Sequence, residues 1–483
     1  MSPPFPISPL APRLDRGSGS GAARVGNGRG DRDLVGELGA RGVETVILAG
    51  SDTHGILRGK RVPLAELPGA LERGIGLCEA IWALPIDERQ PVAAPDGHRG
   101  YFPGEGYPDM VAVPDPATAR DVPWQHRTAL VLCDFVHRDG GAVPISPRDL
   151  LRRVVTRARG MGFEPLVGIE LEFYLLLESP ASLAVKRPEQ LTAVDERPSV
   201  YGVLAGSRHE PFTRRLRESL LALGLPVGAC NPEAGPGQFE LNLRHAPALA
   251  AADQALLLKT AVKEIAAQEG LTATFMAKPR SDWPGNSCHL HLSLLADRRH
   301  VFHDPGAPDG ASPEMRSFIG GLLASMAELT AVMAPTPNSY RRLGPYSWAA
   351  TTATWGVDNR SAGLRAVGDD ASTRRVEHRQ AGGDANPYLA TAAALAGGLH
   401  GIEEGCGAPE PSPGDLYALP AGALPELPHS LGEATDRLEA SELAREWLGA
   451  DFVEHYVALR RAELAAQALA VTDWETSRYL EAL

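Results

Sequence analysis

The sequence predicts an α+β protein, with a strand-containing N-terminal region followed by a large catalytic body of alternating long helices and strands. Three observations carry this. The 483 residues are 43% hydrophobic and 22% charged, the balance of a soluble globular chain long enough to bury a large core. Helix starts of the Ser-Pro or Asn-Pro kind recur at Ser146-Pro147, Ser312-Pro313 and Asn386-Pro387. Between them lie apolar strands with period-two polar positions, such as PLVGIELEFYLLLE and SCHLHLSLL.

In chain order, residues 1–32 are rich in Pro, Gly, Ser and Arg and are expected to form a disordered tail. Residues 33–143 form a first domain. VETVILAG is a β-rich run, SDTHGILRGKRVP turns back into a second strand, and ALVLCDF is a third. From Asp87 to Trp124 the Pro and Gly content predicts loops. Residues 144–483 form the catalytic body. Its first helix has Ser146 as cap, Pro147 at the first helical position and glycines at its end. GILRGKR lacks the spacing of a phosphate loop, and the tail glycines follow no strand, so neither reads as a nucleotide fingerprint.

Charge and cysteine usage exclude several classes. Lys+Arg 47 against Asp+Glu 60 gives −13, which argues against a nucleic-acid or anionic-membrane binder. The five cysteines (Cys78, Cys133, Cys230, Cys288, Cys406) form no CxxC pair and fit a reducing compartment. The first residues hold no apolar signal stretch, and no run of about 18 apolar residues suggests a membrane span. A cytoplasmic enzyme is expected.

The chemistry lies in four segments. In GIELEFYLL, Glu170 and Glu172 share one strand face. A solvated edge strand explains that pair as well as a divalent cation does. In NPEAGPGQFELNL a Gly-Pro-Gly turn can bring Glu233 and Glu240 together, although a surface hairpin gives the same pattern. In GNSCHLHLSL, His289 and His291 face one way and Leu290, Leu292 and Leu294 the other, as in a metal or phosphate reader or as hydrogen-bonded core histidines. Cys288 reads as a packing residue. Arginines then cluster in loop-like segments: Arg341 and Arg342, Arg360 and Arg365, and Arg374, Arg375 and Arg379 around Glu377. Guanidinium forks suit carboxylate and phosphate. Five Glu with one imidazole suit Mg²⁺ or Mn²⁺, two ions rather than one. Two ions with an arginine cradle imply phosphoryl transfer from a nucleotide.

From residue 33 to the C-terminus the chain resembles the glutamine synthetase family. The blocks occur in order: SDTHG, the E-x-E strand, EAGPGQFE, GN-x-x-H-x-H, N-S-Y-x-R-L, N-R-S-x-x-x-R, and R-x-E-x-R followed by NPYLA. The resemblance implies a small β-grasp domain before a catalytic domain built on a curved antiparallel sheet with helices. It implies stacked rings, a dodecamer, with active sites between subunits. It implies ATP and two or more Mg²⁺ or Mn²⁺ per site. Glu172, Glu233 and Glu240 would hold the metal nearer glutamate, and Glu170, His289 and Glu377 the metal nearer ATP. Arg342 and Arg379 would bind glutamate, with a backbone contact from Gly285 and with His289 beside the substrate. Arg360 and Arg365 would grip phosphate, and His291, Ser293 and Arg375 would lie beside the nucleotide. Asp52, lent by a neighbouring subunit, would help deprotonate the amine; Arg360 and Glu377 complete the catalytic set. The implied reaction makes γ-glutamyl phosphate, which an amine then attacks.

Two positions depart from the family pattern. Ammonium-using members carry a flap glutamate six residues after the Arg of N-S-Y-x-R-L; here that position is Trp348. Loss of the charge and gain of a broad apolar face point to an organic amine, a polyamine, ethanolamine or small alkylamine. Pro284 stands where ammonium enzymes commonly have Asn, which removes one side-chain contact and leaves Gly285 intact. A true glutamine synthetase, an inactive structural or regulatory relative, and a ligase for another acid are the competing readings. Retention of all six metal positions opposes the inactive relative.

Overall fold

The computed structural model describes residues 30–104, 106–344, 346–420 and 422–482. The expected tail lies outside the described residues up to position 29; a helix runs over Gly30–Ala40.

The N-terminal sheet contains β1 (Thr45–Ser51), β2 (Leu57–Pro63), β3 (Ile75–Cys78), β4 (Asp109–Pro114), β5 (Arg120–Asp121) and β6 (Thr128–Val136). Its order is β2-β1-β6-β4-β3, with β5 beside β6. β1 and β6 run parallel and the other neighbours antiparallel, a β-grasp arrangement. The sequence marks β1, β2 and β6. It misses β4, which lies within the stretch read as loop. In DMVAVP the buried positions alternate, but Pro108 precedes and Pro114 ends a run of only six residues, and the two mask the signal.

The catalytic sheet contains β7 (Glu164–Leu176), β8 (Val227–Pro232), β9 (Gln238–Leu243), β10 (Ala246–Pro247), β11 (Thr272–Thr274), β12 (Cys288–Ala296), β13 (Arg299–His300), β14 (Trp355–Val357), β15 (Leu364–Val367) and β16 (Arg375–His378). Its main path is β14-β15-β16-β12-β7-β9-β8. Every pair is antiparallel except β14 with β15. Strand alternation divides this sheet into two faces. Ile169, Leu171, Phe173, Leu290, Leu292, Leu294 and Val376 are buried on one. Helices Pro147–Gly160 and Ala248–Gln268 pack on β7 from that side, and Pro387–Glu403 packs on both helices. Each large aliphatic side chain so buried contributes about 1.5–3 kcal/mol. The opposite face is left for polar side chains.

The three Pro-started helices form as expected. Ser312 and Asn386 cap theirs through Met315 N–H and Tyr388 N–H, both at 3.0 Å. Ser146 sits at its N-cap position but makes no side-chain cap bond, so Pro147 and the first-turn Asp149 carry that start.

One buried cation joins the N-terminal sheet to the helices packed on the catalytic sheet. Arg148 donates to both Asp253 oxygens at 2.9 and 3.0 Å, to Asp134 of β6 at 2.9 Å and to Asp115 after β4 at 2.9 Å. Tyr388 Oη also donates to Asp253 at 2.6 Å. Removing such a cation strands its carboxylates, which costs about 3–5 kcal/mol. Arg148→Met should therefore lower the urea midpoint by that equivalent at fixed protein concentration. A shift worth less than about 1 kcal/mol would show that the carboxylates re-solvate freely.

Candidate active site

The polar face of the catalytic sheet forms the floor of a cleft of about 940 Å³. Register sets its chemistry. Glu170 of β7 pairs across to His289 of β12 and to Asn242 of β9. Glu172 stands opposite Glu240. His291 stands opposite Glu377 of β16, and Glu377 opposite Arg365 of β15. Side chains at alternate positions of adjacent strands thus meet over the floor.

The β8–β9 turn delivers Glu233. Gly235 is required there, because a Cβ would lie 1.9 Å from Tyr174 Oη. Gly285 is equally constrained: a Cβ would meet Arg342 Cγ at 2.5 Å and the Ala277 carbonyl at 2.8 Å. The Gly285 backbone therefore lines the cleft directly, with its carbonyl accepting from Gln238 at 2.9 Å.

The carboxylates are crowded. Burial, reinforced by the charges of Glu172 and Glu170, raises the Glu233 carboxyl to about 7. Burial and the neighbouring Glu170, Glu172 and Glu233 push Glu240 far above the usual carboxylate range. Burial also acts to raise Glu170 and Glu377, but it is outweighed. The two histidines hold Glu170 low, and His289, Arg379 and His291 bring Glu377 down to about 2.

His289 faces Glu170 Oε1 through Nδ1 at 2.6 Å, while its buried Nε2 has no partner among the described residues. A ring that donates from Nδ1 to a carboxylate keeps its Nε2 lone pair for a metal. His291 differs, since its Nδ1 accepts from Arg375 Nε at 3.1 Å. Two groups of ligand atoms lie within 4.8 Å of one another: Glu170, Glu240 and His289, and Glu170, His291 and Glu377. The surplus of carboxylates and the orphaned imidazole nitrogen fit a divalent cation. The grouping differs from the expected one, with Glu170 in both sets. Glu172 instead accepts from Ser287 N–H at 2.6 Å, and Glu233 from Asn231 and Ala234 N–H at 3.1 and 3.2 Å.

Arginines form the other wall. Arg365 donates to Glu377 at 2.9 Å, and Arg379 pairs with the same carboxylate. Arg379 Nε is buried without a partner among the described residues. Arg360 is exposed in the cleft. Ser293 and Arg375 line it further along. Arg374 also lines the cleft, but is tied to the Gly368 and Asp309 carbonyls. Trp348 lines the mouth with 57% exposure, and its carbonyl accepts from Arg379 Nη2 at 3.1 Å. Cys288 is fully buried in the core, and burial pushes its thiol up to about 12, as suits a packing residue.

Two expected site residues lie elsewhere in the chain. Arg342 is buried behind the cleft, where it donates to Gln380 O at 2.9 Å, Ser287 Oγ at 3.0 Å and Arg379 O at 3.3 Å. In that place it props Arg379. Asp52 is buried in the β1–β2 turn, where it accepts from His54 N–H and Ile56 N–H at 2.9 Å and from Arg58 at 2.8 Å. It does not line the cleft of its own chain. Sequence reading missed Gln238 and Asn242, although both share the face of Glu240 by period two. It also missed Tyr201, which lines the cleft from a loop without periodicity.

The family description "Glutamine synthetase, catalytic domain" matches residues 144–479. The γ-glutamylethanolamide synthetase GlnA4 of Streptomyces coelicolor is 40% identical over 94% of this chain and 96% of its own. A glutamate–isopropylamine ligase of a Pseudomonas species is 37% identical over 91% and 95%. The type-1 glutamine synthetase 2 of Dictyostelium discoideum is 38% identical over 90% and 83%. A solved structure described as a GmaS/ADP complex superposes with a TM-score of 0.81 at 30% identity, over 93% of this chain and 99% of that one.

The raised carboxyl of Glu233 has a thermodynamic consequence. Its folded value of about 7 exceeds the ordinary 4.5, so from pH 4.5 to 7 the folded state holds a proton that the unfolded state has lost. Stability of the metal-free protein should fall as pH rises through that window. A cation needs the ionised carboxylates, so Mn²⁺ should release protons on binding and remove the decline. Melting temperature against pH, in chelator and in Mn²⁺, tests this; parallel, flat profiles would show that Glu233 does not report on the cation.

Proposed function

Because the chain belongs to the glutamine synthetase family, we propose that it joins the γ-carboxylate of glutamate to an organic amine at the expense of ATP, through γ-glutamyl phosphate. Trp348 carries this reading. It stands at the cleft mouth, tied through its carbonyl to Arg379, where an ammonium enzyme of the family would place a flap carboxylate. An apolar ring there cannot concentrate or deprotonate ammonium, but it can cover an alkyl substituent. The named amide-forming relatives support the choice. The similarly distant glutamine synthetase shows why overall identity cannot make it.

In this reading Glu170, Glu172, Glu233, Glu240, His289 and Glu377 hold two divalent cations, which when bound neutralise the charge of the transferring phosphoryl group. Arg379 receives the glutamate carboxylate through its unpaired Nε–H, positioned by Arg342, with the Gly285 backbone beside it. Arg360, free of partners among the described residues, and Arg365 receive phosphate. His291, Ser293 and Arg375 border the nucleotide. Asp52 acts on the amine from a neighbouring subunit in a ring assembly. The division into a tail (1–32), an N-terminal domain (33–143) and a catalytic domain (144–483) belongs to the same proposal. No helix among the described residues is long and apolar enough to cross a membrane.

The test is phosphate release with ATP, Mg²⁺ and glutamate against ammonium, ethanolamine, isopropylamine, methylamine and putrescine, with the products identified by mass. One or more organic amides should dominate. Glutamine as the main product would overturn the amine assignment. Trp348→Glu should then shift the preference towards ammonium by about tenfold in relative kcat/KM, equivalent to about 1.4 kcal/mol. An unchanged ratio would place Trp348 outside the amine path.

A further inference from the structure

We propose that Tyr417 is a specificity-determining residue of the amine site, and that the amine it selects is a monoamine with a short apolar or aromatic substituent. The inference rests on the amine-ligase reading above and narrows it. Tyr417 lies 69 residues beyond Trp348 in sequence, in the 3-10 turn Leu416–Ala418. The fold brings them together: the Trp348 ring stands edge-on to Tyr417 at 6.4 Å and 80°. Tyr346 also packs on Tyr417, tilted at 40° with centroids 5.4 Å apart. Tyr417 Oη donates to the Ala349 carbonyl at 3.2 Å.

Tyr417 therefore does two things. Its hydroxyl pins the segment that follows Trp348, and its ring backs an aromatic wall of three residues. Trp348 and Tyr346 are 57% and 61% exposed, and both have positive φ, 58° and 56°. Non-glycine residues hold that conformation at a cost and persist where surrounding contacts impose it. Large rings held exposed at a cleft mouth form a surface that a ligand covers.

The apolar character of this wall chooses the ligand class. The Asp415 carboxylate caps the Tyr417 backbone N–H at 3.0 Å. A second ammonium at the far end of a diamine would lose hydration against these ring faces. An apolar substituent bears no such cost and gains the ring faces.

The test measures kcat/KM for isopropylamine, benzylamine, putrescine and ammonium in the parent, Tyr417→Phe and Tyr417→Ala enzymes, with KM for glutamate and ATP alongside. Tyr417→Ala should lower isopropylamine and benzylamine by about tenfold, the scale of one lost apolar contact, and ammonium by less than about threefold. Tyr417→Phe should keep the parent ranking. Tyr346→Ala, at an exposed position that folding tolerates, should show the same selective loss to a smaller degree. Equal losses for every amine, or putrescine as the best parent substrate, would overturn the proposal. A parent that makes only glutamine would overturn the reading beneath it as well, an outcome distinct from amide formation with unaltered selectivity.

Discussion

Too many carboxylates on one sheet face is the constraint around which this molecule is arranged. Glu170, Glu172, Glu233, Glu240 and Glu377 all line the same cleft. Two like charges about 4 Å apart repel by about 4 kcal/mol at an effective dielectric of 20. Several such pairs rival the whole stability of a folded domain, about 5–15 kcal/mol. The chain offsets part of this internally. Two arginines and two histidines face Glu377 and Glu170, and backbone N–H groups face Glu172 and Glu233. What remains falls on Glu233 and Glu240, whose carboxyls are pushed up. A divalent cation relieves that remainder, so binding and folding act on the same groups.

Holding such a cluster requires a rigid support. Strand alternation supplies it, since each residue that faces the cleft is flanked by residues locked in the core. Glu377 lies between Val376 and His378, and His289 between Cys288 and Leu290, all buried. Beneath them, Lys259 is buried and donates to the Gly383 and Ala385 carbonyls at 2.8 and 3.0 Å. It thereby fixes the segment between Arg379 and Asn386. Asn386 in turn donates to the Asp52 carbonyl at 3.0 Å. The glutamate-side loop and the turn proposed to serve a neighbouring subunit thus share one hydrogen-bonded frame.

Legibility from sequence followed the range of the signal. Period-two patterns place Glu170 with Glu172 and His289 with His291 on one face because strand geometry is local. The arginine series was visible as clustering in loop-like segments. Other features needed the tertiary fold. Arg342 reads as a glutamate ligand by motif, and the chain buries it behind Arg379, a placement that no local pattern reveals. Asp52 reads as catalytic by resemblance, while its own chain uses both its oxygens to close a turn. Strand β4 was hidden by flanking prolines. Tyr417 gave no signal, because its neighbour Trp348 is reached only when the segment after residue 405 folds back beside residues 346–349.

The site divides into two walls with different tolerance for change. Strands carry Glu170, Glu172, Glu240, Glu377, His289, His291, Arg365 and Arg375, where a one-residue slip would turn every side chain into the core. That wall suits a phosphoryl transfer common to a family. The wall proposed to receive the amine is built from loops around residues 346–349 and 416–418, which can change without disturbing register. In the proposed reaction, replacing a flap carboxylate by Trp348 alters charge and shape at the amine while leaving the proposed metal ligands and phosphate arginines in place. A fold so divided can keep one activated intermediate and vary the nucleophile that captures it, which is how relatives of comparable identity come to be named for different amide products.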